Sequence, residues 1–442
     1  MYIAKYIKKQ HRECKMKSLS TLERNYLRIS IYLAGTGIAI AIPASFCCAD
    51  LLLLRMNFDY HLFGVIKSSM FFMPPLIYWF CADSLKRLDR NAAICRWNYL
   101  LRIVFPLFLP LTAQMTENPT IRLWSCVAVF SLGFTSAMFA NNTLMSLYRE
   151  SVPSDQFNRQ SMFFNALLTV ACLLATIPAV SLLNAPTLDD GEFFRRFLIL
   201  ELISALFYIP GFIVLRNLDK VNPQTSVAAT STLRDKLYPF TDRKYLPLMA
   251  VNVLFSLWFG MVSCYWVVYL ITMRNWSAGT IVIVEAFLSA LSLFTSRAIG
   301  KIADNKGYNK ITGFLLVSML ILALLHTVCW QSRAVTFIVL ILIHNANNGL
   351  FSGGARGLLT SAGITFAPDS ARERCFGAFT LLQSLACFAG CIIGGKLFET
   401  ICGTQATDQN YRLYFACSNL LLIPLAAAGF FLKQPERSKT SS

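Results

Sequence analysis

Residues 300–310 read Gly300-Lys301-Ile302-Ala303-Asp304-Asn305-Lys306-Gly307-Tyr308-Asn309-Lys310, a short polar turn between two long apolar runs. The flanking runs, at about 279–302 and 309–331, are each long enough to cross roughly 30 Å of hydrocarbon as a helix. So short a turn makes the two crossings antiparallel neighbours. Its lysines place it on the cytoplasmic face, where basic loops are retained. A related turn, Trp79-Phe80-Cys81-Ala82-Asp83-Ser84-Leu85-Lys86-Arg87, follows the apolar run at about 61–82.

Nine further apolar runs can be placed around these turns. The first half holds spans at about 28–54, 61–82, 93–114, 121–149, 158–183 and 193–217. The second half holds 247–273, 279–302, 309–331, 334–362, 374–399 and 410–432. Composition agrees with such a chain. Of 442 residues, 55% are hydrophobic and only 14% charged, against about a quarter charged in soluble domains. A soluble surface cannot be made from so little charge.

The net charge of +17 would suit a nucleic-acid binder if it were gathered on one domain. It lies instead in short segments between spans: the N-terminal segment, the loop with Lys86 and Arg87, the stretch with Lys220 and Lys236, the Lys301–Lys310 turn and the C-terminal tail. Loops of the opposite parity carry acids such as Asp59, Glu117, Asp189 and Asp408. This alternation predicts both termini in the cytoplasm and an even number of spans. The basic N-terminus is followed by an apolar run too long for a signal-peptide core, so the first span is expected to be retained. The 14 cysteines are scattered and form no CxxC or Cys/His spacing. No metal site, cofactor or disulfide framework is predicted.

The halves repeat. Asp83 and Asp304 are 221 residues apart in equivalent loops, and Pro153, Arg159 and Phe164 recur as Pro368, Arg374 and Phe379 at an offset of 215. Such internal duplication is an architecture of transporters. On these residues the chain resembles the major facilitator superfamily over nearly its whole length. The skeleton of that family's loop signature, G-x-x-x-D-[RK]-x-G-[RK]-[RK], is met by Gly300, Asp304 and Gly307. Asn305 replaces a base there, and in the first-half copy only Asp83 and Arg87 survive. The Pro-x5-Arg loops resemble those of bacterial members.

The resemblance implies an all-α membrane protein of 12 transmembrane helices in two pseudo-symmetric six-helix bundles: residues 1–217, a cytoplasmic linker at 218–246, and residues 247–442. It implies a monomeric carrier in the cell (inner or plasma) membrane that moves a small organic solute by alternating access and draws on protons, sodium or the solute's own gradient.

Ionisable groups within spans mark functional sites by default, because burying them in hydrocarbon is costly. Lys67 and Glu285 lie 218 residues apart at repeat-equivalent positions. They form an outer gate, bind substrate and a proton, or else each snorkels to the headgroups or pairs locally. In the tenth span Asn345, Asn348, Ser352 and Arg356 step by three or four residues and so share a helix face, with His344 alongside. The repeat sets Asn141 and Asn142 of the fourth span opposite, and Gln383 of the eleventh span with Trp258, Tyr265 and Trp266 of the seventh are further candidates to line a cavity. In the family the fourth and tenth helices face the central cavity. Arg356 then either clamps a carboxylate or phosphate or is neutralised by an acidic partner. Gly300, Gly307, Asp83, Arg87 and Asp304 are read as gating elements of the cytoplasmic loops.

No P-loop pattern occurs, so ATP-driven transport is not expected. A membrane enzyme would need clustered Asp, Glu or His, which the chain lacks. An efflux antiporter and a non-transporting sensor on the same fold are the remaining alternatives. Arg356 and Lys67 favour an anionic or zwitterionic solute.

Overall fold

A computed structural model describes residues 21–39, 118–133, 157–183, 189–215, 237–243, 245–263, 265–277, 298–303, 305–332, 352–367, 372–402 and 407–432, with isolated positions between 52 and 79, at 108 and 135, and within 279–284 and 334–335. All regular structure among the described residues is helical. The main helices are α1 (Thr21–Ala39), α2 (Phe157–Leu183), α3 (Asp190–Leu206), α4 (Tyr208–Leu215), α5 (Leu246–Ser263), α6 (Trp266–Thr272), α7 (Tyr308–Val328), α8 (Ser352–Thr365), α9 (Arg372–Cys402), α10 (Asp408–Asn419) and α11 (Leu422–Gly429).

Five stretches among the described residues are long and apolar enough to cross a bilayer: Ala166–Leu183, Leu246–Thr272, Tyr308–Val328, Arg374–Cys402 and Asp408–Gly429. α7 shows why lipid is the solvent. Its inner stripe, including Ile311, Leu315, Met319 and Ala323, is buried. Its outer stripe is apolar as well: Phe314, Ile321, Leu325 and Val328 are exposed, Val328 by 77%. A helix apolar on both faces is stable only against protein on one side and hydrocarbon on the other.

Helix boundaries follow the sequence closely for the fifth, ninth and eleventh spans. The first helix differs, beginning at Thr21 rather than near residue 28. Asn25 and Ile29 are fully buried, so packing holds this more polar turn in place. The sixth and twelfth spans are each broken near a proline. Pro210 lacks the N–H that would reach back across the break between α3 and α4, and Phe207 N–H bonds Ser204 O at 3.1 Å instead. Pro424 stands in the same relation to the break at Leu420–Leu421, where Leu420 N–H bonds Cys417 O at 3.3 Å.

The two ends of the chain pack alike. In the first half α1 packs on α2 and α4, the fifth and sixth spans; in the second, α5 packs on α9 and on α10 and α11, the eleventh and twelfth. Close approach is made by glycine in both. A Cβ on Gly37 would run into the Leu168 carbonyl of α2, and one on Gly260 into the Cys387 carbonyl of α9.

Contacts also cross between the halves. α8 packs on α2 as well as on α5, α7 and α9. Phe72 of the second span meets Phe388 of α9 with ring centroids 5.0 Å apart. Just ahead of α5, the 3-10 turn Tyr238–Phe240 touches α9, and Tyr245 OH donates to Gly363 O at 2.7 Å.

Candidate functional site

An open-sided recess lies between Phe71 of the chain's first half and helices α5, α8 and α9 of its second half. Its polar wall comes from Ser256 of α5, Arg356 of α8, and Gln383, Ser384 and Cys387 of α9; its apolar wall is Phe71, Phe255 and Phe259. Helical spacing accounts for the grouping. Phe255 and Phe259 are four apart on α5, as are Gln383 and Cys387 on α9, so each pair projects from one helix face. Gly260 and Gly390 let these two faces come close.

Arg356 is the only ionisable Arg, Lys, Asp, Glu or His among the described residues lining the cavity. Its guanidinium carbon lies 5.3 Å from the centroid of the Phe259 ring, a cation–π contact. Among the described residues no carboxylate pairs with it. Ser256 is 3% exposed, and its hydroxyl has no hydrogen-bond partner among the described residues. A fixed cation and a spare hydroxyl therefore share one cavity with three phenyl rings.

The other expected residues divide between placed and unplaced. Ser352 starts α8 one turn before Arg356. Gly300 is buried at the end of the eighth span. Gly307 has φ of 86°, caps α7 and bonds Ala303 O at 3.1 Å. A residue with a Cβ is strained at that φ, so glycine serves the turn itself. Asn345, Asn348, His344, Asn141, Asn142, Glu285, Lys67, Asp304, Asp83 and Arg87 lie outside the described residues.

Sequence reading named Gln383 as a cavity candidate but passed over Phe71, Phe255, Ser256, Phe259, Ser384 and Cys387. A hydroxyl next to an amide in the otherwise apolar eleventh span was the available signal. The aromatic candidates in the seventh span serve packing. Trp258 Nε1–H donates to Asn419 Oδ1 at 3.0 Å, and Tyr265 stacks on Phe398 with centroids 4.3 Å apart.

A second charged cluster, also missed, joins the ends of α6, α7 and α10. Asp408 accepts from Trp330 Nε1–H at 2.6 Å and from Tyr269 OH at 3.2 Å, and lies 3.3 Å from Arg274 Nη2. Arg274 donates to Trp330 O at 2.9 Å and also to the Tyr269 hydroxyl. Its guanidinium stands 5.4 Å from the ring centroids of both Tyr269 and Trp330. Nearby, His326 is buried with its ring 4.8 Å from that of Trp330. On α3, Glu201 is 3% exposed, and its Oε1 has no partner among the described residues.

No protein-family model matches the sequence, and no curated protein does. Solved structures match along almost the entire chain. The E. coli fucose:proton symporter FucP, as a single-residue variant, superposes with a TM-score of 0.66 at 13% identity, covering 94% of this chain and 100% of that one. A bacterial homologue of the iron transporter ferroportin, in its outward-facing state, gives 0.62 at 13% identity over 94% and 99% of the two chains. The human organic anion transporter MFSD10 gives 0.62 at 12% identity over 93% and 100%. The chain thus has the fold of major facilitator superfamily transporters.

Proposed function

We propose that the protein is a secondary transporter that carries a small anionic or zwitterionic organic solute across the membrane by alternating access. The observation that supports this most directly is Arg356, a cation in a seam cavity with only a phenyl ring beside it among the described residues. A structural arginine in a membrane protein is normally paired. One left without a carboxylate, in an open cavity, is available to a ligand. The matched structures, named as a sugar symporter, an iron transporter homologue and an organic anion transporter, are all carriers.

On this reading residues 1–217 and 247–442 are six-span bundles joined by a cytoplasmic linker at 218–246, with both termini in the cytoplasm. The matching pairs α1–α2 and α5–α9 are what a duplicated bundle requires. Solute binds near mid-membrane between the bundles, and their rocking exposes it to each side in turn. Asn345, Asn348, Ser352, His344, Asn141 and Asn142 extend the binding wall around Arg356. Glu285 and Lys67 couple or gate on the outer side. Gly300, Asp304, Gly307, Asp83 and Arg87 close the inner face.

Flux into proteoliposomes is the test. The protein should accumulate or exchange an organic anion from a mixed metabolite pool, while protein-free liposomes do not. Transport by Glu285→Gln that remains accumulative and pH-dependent would remove proton coupling through Glu285. Tight binding of solutes with no flux in any gradient would make the protein a sensor on a transporter fold.

A further inference from the structure

We propose that the Arg356 cavity selects a compact monocarboxylate with an apolar body, in preference to a zwitterion, a dianion or a neutral isostere. The proposal rests on the reading of the protein as a solute carrier and narrows its substrate class.

Charge balance comes first. The described lining has one fixed cation, Arg356, and no Asp or Glu. One guanidinium fork matches one carboxylate, through two parallel N–H···O bonds. An α-ammonium on the same small solute would sit near that guanidinium with no carboxylate among the described lining residues to receive it. Phe259 offers its ring to Arg356 already, so it is not free to serve as an ammonium platform. Among the described lining residues a second carboxylate would face only neutral groups and would lose its water without compensation.

The spare hydroxyl comes next. Ser256 is almost completely buried and has no partner among the described residues, an arrangement that costs stability until an acceptor arrives. A carboxylate oxygen is such an acceptor. The amide of Gln383 and the hydroxyl of Ser384 add donors on the facing helix. Arg356 and Ser256 come from different helices, α8 and α5, so one carboxylate held by both ties those helices together.

Size and apolarity complete the case. The recess is narrow and walled largely by aromatic rings, which limits the solute to a compact body. Phe71 and Phe255 cover the rest of the solute with phenyl surface. Phe71 belongs to the first half and Phe255 to the second, so an apolar body buried between them bridges the seam.

The experiment is a binding series on purified protein in detergent, read by thermal shift and calorimetry. Benzoate, benzamide, benzylamine and phthalate hold shape nearly constant while charge changes; butyrate, phenylalanine and inorganic phosphate vary the body and the headgroup. Benzoate or butyrate should raise the melting temperature and bind at least 10-fold more tightly than benzamide, phenylalanine or phthalate. Arg356→Gln should weaken that binding at least 10-fold, and Arg356→Lys should restore only part of it, because charge returns without the fork. Ser256→Ala, which leaves every charge in place, should weaken it about threefold to fivefold and serves if the arginine variants do not fold.

Equal binding of benzamide and benzoate would overturn the proposal, as would tighter binding of phenylalanine or phosphate. A silent carboxylate panel alongside measurable liposome flux of some other solute would overturn the substrate class alone. Carboxylate binding by wild type with no flux in any gradient would uphold the site and refute the carrier reading instead.

Discussion

Two arginines of the second half, Arg274 and Arg356, show how differently one residue type is used in one membrane protein. Arg274 is saturated. A carboxylate, a carbonyl, a hydroxyl and two aromatic rings surround it, and they come from the ends of three spans. Such a cluster resists change because moving any member strands the others. Arg356 has one phenyl ring and, among the described residues, no counter-charge. A satisfied charge holds structure; on the proposed reading the other, with no counter-charge among the described residues, is poised for a ligand. The contrast lies in the partners and not in the residue, so each side of it can be broken separately.

The largest effect is expected at Arg356. Replacement by Ala should weaken anion binding about 10- to 100-fold, as loss of a charged bidentate contact worth about 1.5–3 kcal/mol implies. The melting temperature without ligand should stay level or rise, because a charge with no counter-ion among the described residues is removed. If that variant melts lower and still binds, Arg356 belongs with Arg274 as a structural residue.

Asp408→Ala should do the reverse. It removes the acceptor for Trp330 and Tyr269 and the counter-ion of Arg274. Half-exposure of the carboxylate moderates the loss to about 1–2 kcal/mol, seen as a drop of a few degrees in melting temperature with ligand affinity unchanged. Ser256→Ala comes third, with ligand binding weakened by up to about 1 kcal/mol and apo stability unchanged or slightly raised. The smallest effect is at the start of α3. There Arg196, at 2.9 Å, and then Arg195, at 2.7 Å, hold the Glu192 carboxyl below its ordinary range. The contribution is full above the unfolded carboxylate range and fades as pH falls through the lowered value. Partly exposed and at the protein surface, the cluster should change melting between neutral and strongly acid pH only slightly, with Glu192→Gln erasing the difference.

Much of the fold was legible because hydrocarbon imposes a length and a composition on every crossing. α2 was expected at 158–183 and runs Phe157–Leu183; α7 was expected to begin at 309 and begins at Tyr308. Breaks inside spans were less legible, since Pro210 and Pro424 interrupt helices whose hydropathy runs on unbroken. Arg356 could be singled out because a deep charge is conspicuous in one dimension. Ser256 could not, for a lone serine in an apolar helix usually bonds its own backbone; only the folded chain shows that this one does not. The Arg274–Asp408 pair was hidden for another reason: both residues sit at span ends, where charge is ordinary, and pairing over such sequence distance is a property of the tertiary structure.

Cys387 lines the same cavity as Arg356 and gives the most direct measurement of the central claim. In a variant keeping only Cys387 of the 14 cysteines, membrane-impermeant methanethiosulfonates of opposite charge should react at different rates. The account predicts that the anionic sulfonate reagent reacts several-fold faster than the cationic trimethylammonium reagent, that Arg356→Gln abolishes the preference, and that a bound carboxylate slows both reactions. Equal rates for the two reagents, or a thiol that reacts only after denaturation, would contradict a water-accessible cavity governed by Arg356.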